Sequence, residues 1–106
     1  MTLSRIAFIG PQEYEIFKLV GVEKVYTLPL NPENIKNILS ELLLEKDISI
    51  IAISQRYADA VRDEIDKIKS RGEVYPIIVE ISDLSLKAKP MELLDLLRKV
   101  LGVRMG

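Results

Sequence analysis

The run "ISIIAIS" at residues 48–54 limits what this chain can fold into more than any other stretch. It is nearly all apolar and rich in isoleucine, a β-branched side chain that favours extended backbone. A strand with one wet face alternates apolar and polar residues. A run like this one suits a parallel strand covered by helices on both faces. It passes without a gap into the charged, helix-like stretch "QRYADAVRDEIDKI". The junction Ser54-Gln55-Arg56 therefore falls at the carboxyl end of a strand, where open α/β proteins place their working residues.

The rest of the chain alternates in the same way. "LSRIAFIG" (3–10) is a β-rich run ending at Gly10-Pro11, and Pro11 suits the first turn of a helix. That helix spans 12–21, with Ile16, Phe17 and Val20 on one side. "KVYTL" (24–28) reads as a second strand. Asn31 as N-cap, Pro32 at the first helical position and Glu33 in the first turn predict a helix over 32–46. Its stripe is Ile35, Ile38, Leu39, Leu42 and Leu43, a period of 3.6. The helix after residue 54, with Ser54 as its cap, carries Tyr57, Val61, Ile65 and Ile68 on one side and closes at Gly72. Its other side alternates charge, pairing Arg62 with Asp66 and Asp63 with Lys67 at i,i+4 spacing. "VYPIIVEIS" (74–82) is a fourth strand, in which Pro76 calls for an edge position or a place near the start.

The order β-α-β-α-β-α-β-α implies right-handed crossovers. The fold class expected is α/β: a small open parallel four-stranded sheet, order 2-1-3-4, receiver- or Rossmann-like, flanked by helices. It divides into a sheet domain (1–82), a polar linker (83–90) and a C-terminal helix or tail (91–106).

At 106 residues this is one domain. A net charge of −1 argues against an electrostatic grip on nucleic acid. The chain has neither Cys nor His, which excludes zinc-thiolate sites, cysteine nucleophiles and imidazole catalysis. No apolar run is long enough to span a membrane, and "MTLSRIAFIG" lacks the pattern of a signal peptide. A cytoplasmic address is the expectation.

The sites that such a fold can carry fail one by one. The first turn, "IGPQEYE", has one glycine, a proline that removes an amide, and two glutamates that repel phosphate, so it is no dinucleotide turn. A phospho-receiver needs acidic metal ligands after the first strand and an Asp ending the third. Here those places hold Pro11-Gln12 and Ser54. Ser54 has no base beside it and is read as a helix cap. Asp63, Glu64, Asp66 and Lys67 form a solvated charged face, and Tyr14 and Tyr57 are placed to pack. No catalytic residue, cofactor or metal site is expected.

The last helix breaks the pattern. Its polar residues Glu92, Asp95, Arg98 and Lys99 fill a narrow stripe, while Met91, Leu93, Leu94, Leu96, Leu97, Val100, Leu101 and Val103 occupy the rest. A helix lying on its own sheet needs an apolar stripe of a little over 100°. This one is either deeply enclosed in its own domain or keeps a face for a partner helix.

Five stretches resemble the F subunit of the archaeal/vacuolar-type (A/V-type) rotary ATPases: "RIAFIG", "FKLVGV", "DISIIAISQRYADAVRDEID", "PIIVEIS" and "LLRKVLGV". The third is the most specific, with Asp47 to Ile53 running into Ser54, Gln55, Arg56, Ala58, Val61, Arg62, Ile65 and Asp66. Pro11 and "LSLKAKP" depart from the family pattern, which often has an acidic residue and glycines there. The resemblance implies a non-catalytic central-stalk subunit of a proton- or sodium-translocating ATP synthase or ATPase. Such a subunit binds the coiled-coil shaft (the D subunit), turns within the catalytic A/B hexamer, and sits in the cytoplasm, peripheral to the membrane. On that basis Met91, Leu93, Leu94, Leu97, Val100 and Leu101 are the expected partner contacts, with Gln55 and Arg56 beside them. A pseudo-receiver that binds a regulatory partner without phosphorylation is the alternative.

Overall fold

The computed structural model describes residues 5–11, 22 and 24–82, with Glu92, Asp95 and Lys99 of the last segment. Its strands are β1 (Arg5–Gly10), β2 (Lys24–Thr27), β3 (Ile48–Ser54) and β4 (Ile77–Ile81). They form one sheet in the order β2-β1-β3-β4, every pair parallel. The α/β class and the strand order are those expected. All seven residues of β3 are buried, which requires a neighbour on each edge and cover on each face. In register, Ile9 lies between Tyr26 and Ile53, and Ile53 lies opposite Glu80.

Three helices are described: α1 (Pro32–Leu43), α2 (Gln55–Ala60) and α3 (Arg62–Lys69). Ala7 and Ile9 of β1 and Ile51 and Ile53 of β3 share a core with Ile35, Leu39 and Leu42 of α1 and with Tyr57, Ala58, Val61 and Ile65. Alternation along the strands sends Ile6, Phe8, Ile50, Ala52 and Ile81 to the opposite face, and these are buried too. The helix expected over 12–21, the linker 83–90 and the apolar positions of the last helix lie outside the described residues.

Local chemistry explains the start of α1. Asn31 is extended (φ −138°, ψ 109°), and its side-chain oxygen accepts from the Asn34 N–H at 3.0 Å, with Pro32 next. The helix ends at Leu43 rather than at 46. Beyond it, Glu45 and Asp47 turn toward the strand starts. Asp47 accepts from Arg5 Nη1 at 2.6 Å, and Glu45 lies 3.0 Å from Lys24 Nζ. These partners direct the chain into β3. At the other end of the sheet β2 stops at Thr27, and the Leu28 N–H donates to the Gly10 carbonyl at 3.2 Å.

A single helix through Tyr57, Val61, Ile65 and Ile68 is not what forms. Val61 (φ −129°, ψ 40°) interrupts it. Its N–H turns back to the Ala58 carbonyl at 3.1 Å, and the ladder resumes with Ile65 N–H to the Val61 carbonyl at 3.1 Å. Both Val61 and Ile65 stay in the core. Gly72 closes α3 at φ 80°, a conformation open to glycine. β4 is shorter than the expected 74–82, because it begins directly after Pro76, which has no N–H for a ladder. It lies at the sheet edge, as expected.

Removing a buried leucine from this core leaves a cavity. Leu39→Ala is expected to lower unfolding free energy by roughly 2–5 kcal/mol. Leu44→Ala, at a side chain 82% exposed, is expected to change it by less than about 0.5 kcal/mol. Urea titration of both variants checks the pair.

Candidate functional site

The chain leaves β1 toward one sheet edge and leaves β3 toward the other. The switch point of the sheet is therefore at Gly10-Pro11 and Ser54-Gln55, where this architecture opens a ligand crevice. Here the described strand ends are tightly packed on one face. A Cβ placed on Gly10 would fall 2.7 Å and 2.8 Å from two ring carbons of Phe8, and 3.4 Å from the Ser54 Cβ. The Phe8 ring, two residues earlier on the same face, thus lies over the strand end and is itself buried. Gly10 is the residue type that permits this approach.

Ser54 is fully buried, and its hydroxyl has no hydrogen-bond partner. It occupies the N-cap position of α2 but makes no side-chain cap bond, contrary to the sequence expectation. Strand alternation explains this. Ser54 still points with Ile50 and Ala52 to the sheet's second face, away from the amides a cap must reach. A buried serine with no hydrogen-bond partner, packed by Gly10 and the Phe8 ring, has neither an activating base nor a phosphate cradle at its hydroxyl. Among the described residues no cluster of three or more His, Cys, Asp or Glu could hold a metal ion.

Beyond this packing the same end of the sheet presents a surface. Gln55 and Arg56 are exposed in the first turn of α2, and Leu30, in the loop after β2, is 48% exposed. Tyr57 is buried in the core, and its hydroxyl donates to the Leu28 carbonyl, tying that loop to α2. Of the sequence-derived contact residues, the structure places Gln55 and Arg56 here. Met91, Leu93, Leu94, Leu97, Val100 and Leu101 lie outside the described residues. Glu92, Asp95 and Lys99 are helical and exposed, on the side read as the polar stripe.

Sequence reading missed the main electrostatic centre. Glu80 of β4 projects onto the helix-covered face with its side chain 16% exposed. Arg62 grips it with both terminal nitrogens at 2.8 Å, and Lys69 Nζ donates at 2.7 Å. Arg62 also pairs with Asp59, not with Asp66, while Lys67 reaches Glu64 at 3.7 Å rather than Asp63. The available signal was a lone carboxylate in the otherwise apolar "IIVEI". The hydrogen bonds from Arg62, and next those from Lys69, hold the Glu80 carboxyl down at about 2, against the desolvation that raises it. At the opposite end of the sheet, Arg5 likewise holds Asp47 below the usual carboxylate range.

Because the folded Glu80 carboxyl is depressed from 4.5 to about 2, its stabilisation is complete above pH 4.5 and is lost as pH falls toward 2. Glu80→Gln is expected to cost roughly 1–3 kcal/mol at neutral pH and to flatten the stability profile in that acid window. Denaturant titrations across pH read both effects. Gly10→Ala, which drives a methyl into the Phe8 ring, is expected to cost roughly 1–3 kcal/mol by the same measurement.

Comparison with known proteins adds the last observation. The family model for the ATP synthase (F/14-kDa) subunit matches residues 6–100. The chain is 34% identical to the F subunit of the A-type ATP synthase of Thermococcus kodakarensis, covering 95% of this chain and 97% of that one. It is 31% identical to the F subunit of the A-type enzyme of Methanocaldococcus jannaschii, covering 95% and 98%. A crystal structure of the F subunit of the V-type ATP synthase from Archaeoglobus fulgidus superposes with a TM-score of 0.57, covering 73% of this chain and 95% of that one. At 24% identity that likeness speaks for the fold.

Proposed function

The chain belongs to the ATP synthase (F/14-kDa) subunit family, and on that premise we propose that it is a non-catalytic rotor subunit in the central stalk of an A/V-type ATP synthase or ATPase. In this role it docks on the coiled-coil shaft (the D subunit), turns with it inside the catalytic A/B hexamer, and contributes to rotary coupling of proton or sodium movement. The observation that carries the reading is the tight packing at the ends of β1 and β3. Where this architecture would do chemistry, Phe8 lies over Gly10 and Ser54 is buried without a partner. Hydrophobic docking then falls to the last helix, through Met91, Leu93, Leu94, Leu97, Val100 and Leu101, with Gln55 and Arg56 at the sheet end as polar contacts. The division into a sheet domain (1–82), a linker (83–90) and a docking tail (91–106) follows the same logic. Among the described residues no helix is long and apolar enough to cross a membrane, which suits a subunit held peripherally by its neighbours.

The test is copurification with the shaft protein. Leu93→Asp combined with Leu97→Asp is expected to weaken the complex at least tenfold while leaving the sheet domain's unfolding transition in place. Unchanged copurification overturns the tail assignment. Failure of the unaltered chain to bind any shaft protein overturns the stalk role itself.

A further inference from the structure

Local sequence accounts for the interruption at Val61 only in part. Residues 58–64 read "ADAVRDE": Asp63 and Glu64 suit the first turn of a new helix, but no Gly or Pro stops the one before it. The restart of α3 has no side-chain cap, and its N-cap is a valine, among the poorest residues for that position. A continuous helix would keep Tyr57, Val61, Ile65 and Ile68 on one stripe and restore ladder bonds that the break gives up. A contact outside the helix then has a part in favouring the broken form.

The group in position to do so is Glu80. Arg62 is the first residue after the break and grips Glu80 with two bonds, while Lys69, the last residue of α3, holds the same carboxylate. Seven residues apart, Arg62 and Lys69 project about 20° from each other around a helix. One carboxylate on β4 therefore fastens both ends of α3. Arg62 also binds Asp59 across the break. An open cleft lined by Lys36, Asp59, Ala60, Arg62, Asp63 and Glu64 lies beside the interruption, which leaves room for the backbone there to rearrange.

We propose that residues 55–69 form a two-state helix, in which the Arg62–Glu80 pair selects the form broken at Val61 and its loss rejoins α2 and α3 into one continuous helix. The hinge is independent of the stalk role.

The test uses the full-length chain and its backbone ¹³C shifts at Val61, with amide exchange at Arg62, Asp63 and Glu64. In the unaltered protein Val61 gives non-helical shifts. In Glu80→Gln, and separately in Arg62→Gln, the shifts move to helical values and exchange at the three amides slows on the order of tenfold, as they gain i→i−4 acceptors. Lys69→Gln, which spares the bidentate pair, leaves Val61 as it was. Helical shifts at Val61 in the unaltered protein, no change in either arginine-pair variant, or an equal change in Lys69→Gln each overturn the proposal. Should Glu80→Gln fail to fold, Arg62→Gln, which leaves Glu80 with Lys69, decides it.

Discussion

The enclosure of β3 governs the rest of this structure. Seven consecutive buried residues leave their backbone polar groups little water to bond, so the ladders to β1 and β4 are obligatory. Those ladders fix the register. Ile51 and Ile53 then face α1, α2 and α3, while Ile50, Ala52 and Ser54 face the other way. The tight packing at the strand ends is a direct result. Strand alternation that aims Ile53 at the core aims Ser54 into the opposite layer, beside Gly10 and the Phe8 ring.

Charge is arranged around this core at two opposite places. At the amino ends of the strands, Arg5, Lys24, Glu45 and Asp47 bring together the starts of β1, β2 and β3. These side chains are roughly a quarter to a third exposed, so solvent screens much of what they contribute. The Glu80 centre is better enclosed and satisfies its carboxylate with three bonds from two cations. A carboxylate in that setting is strongly committed to its partners, because leaving it unpaired costs its full desolvation.

What the sequence made legible was local or periodic. Asn31-Pro32 announced α1 because a cap and a preset φ act within a few residues. The unbroken apolar run announced β3, and with it the central strands of the sheet and its order. Three features were hidden for a common reason. The break at Val61, the true partner of Arg62 and the idle hydroxyl of Ser54 depend on residues far along the chain, 18 positions away for Arg62 and Glu80, or on which face a strand end retains. At the candidate contact surface, Gln55 and Arg56 could be located as the turn after β3. That Leu30 shares that end of the sheet required the fold, since β2 and β3 are separated in the sheet by β1.

The bond from Tyr57 to the Leu28 carbonyl has a mechanical meaning. A load applied at Gln55 or Arg56 enters β3 along the covalent chain, and through the phenol it also reaches the exit of β2 on the far side of β1. The strain is thus shared between two strands instead of peeling one. For a part that bears sideways force at this rim, such cross-bracing raises stiffness without adding mass.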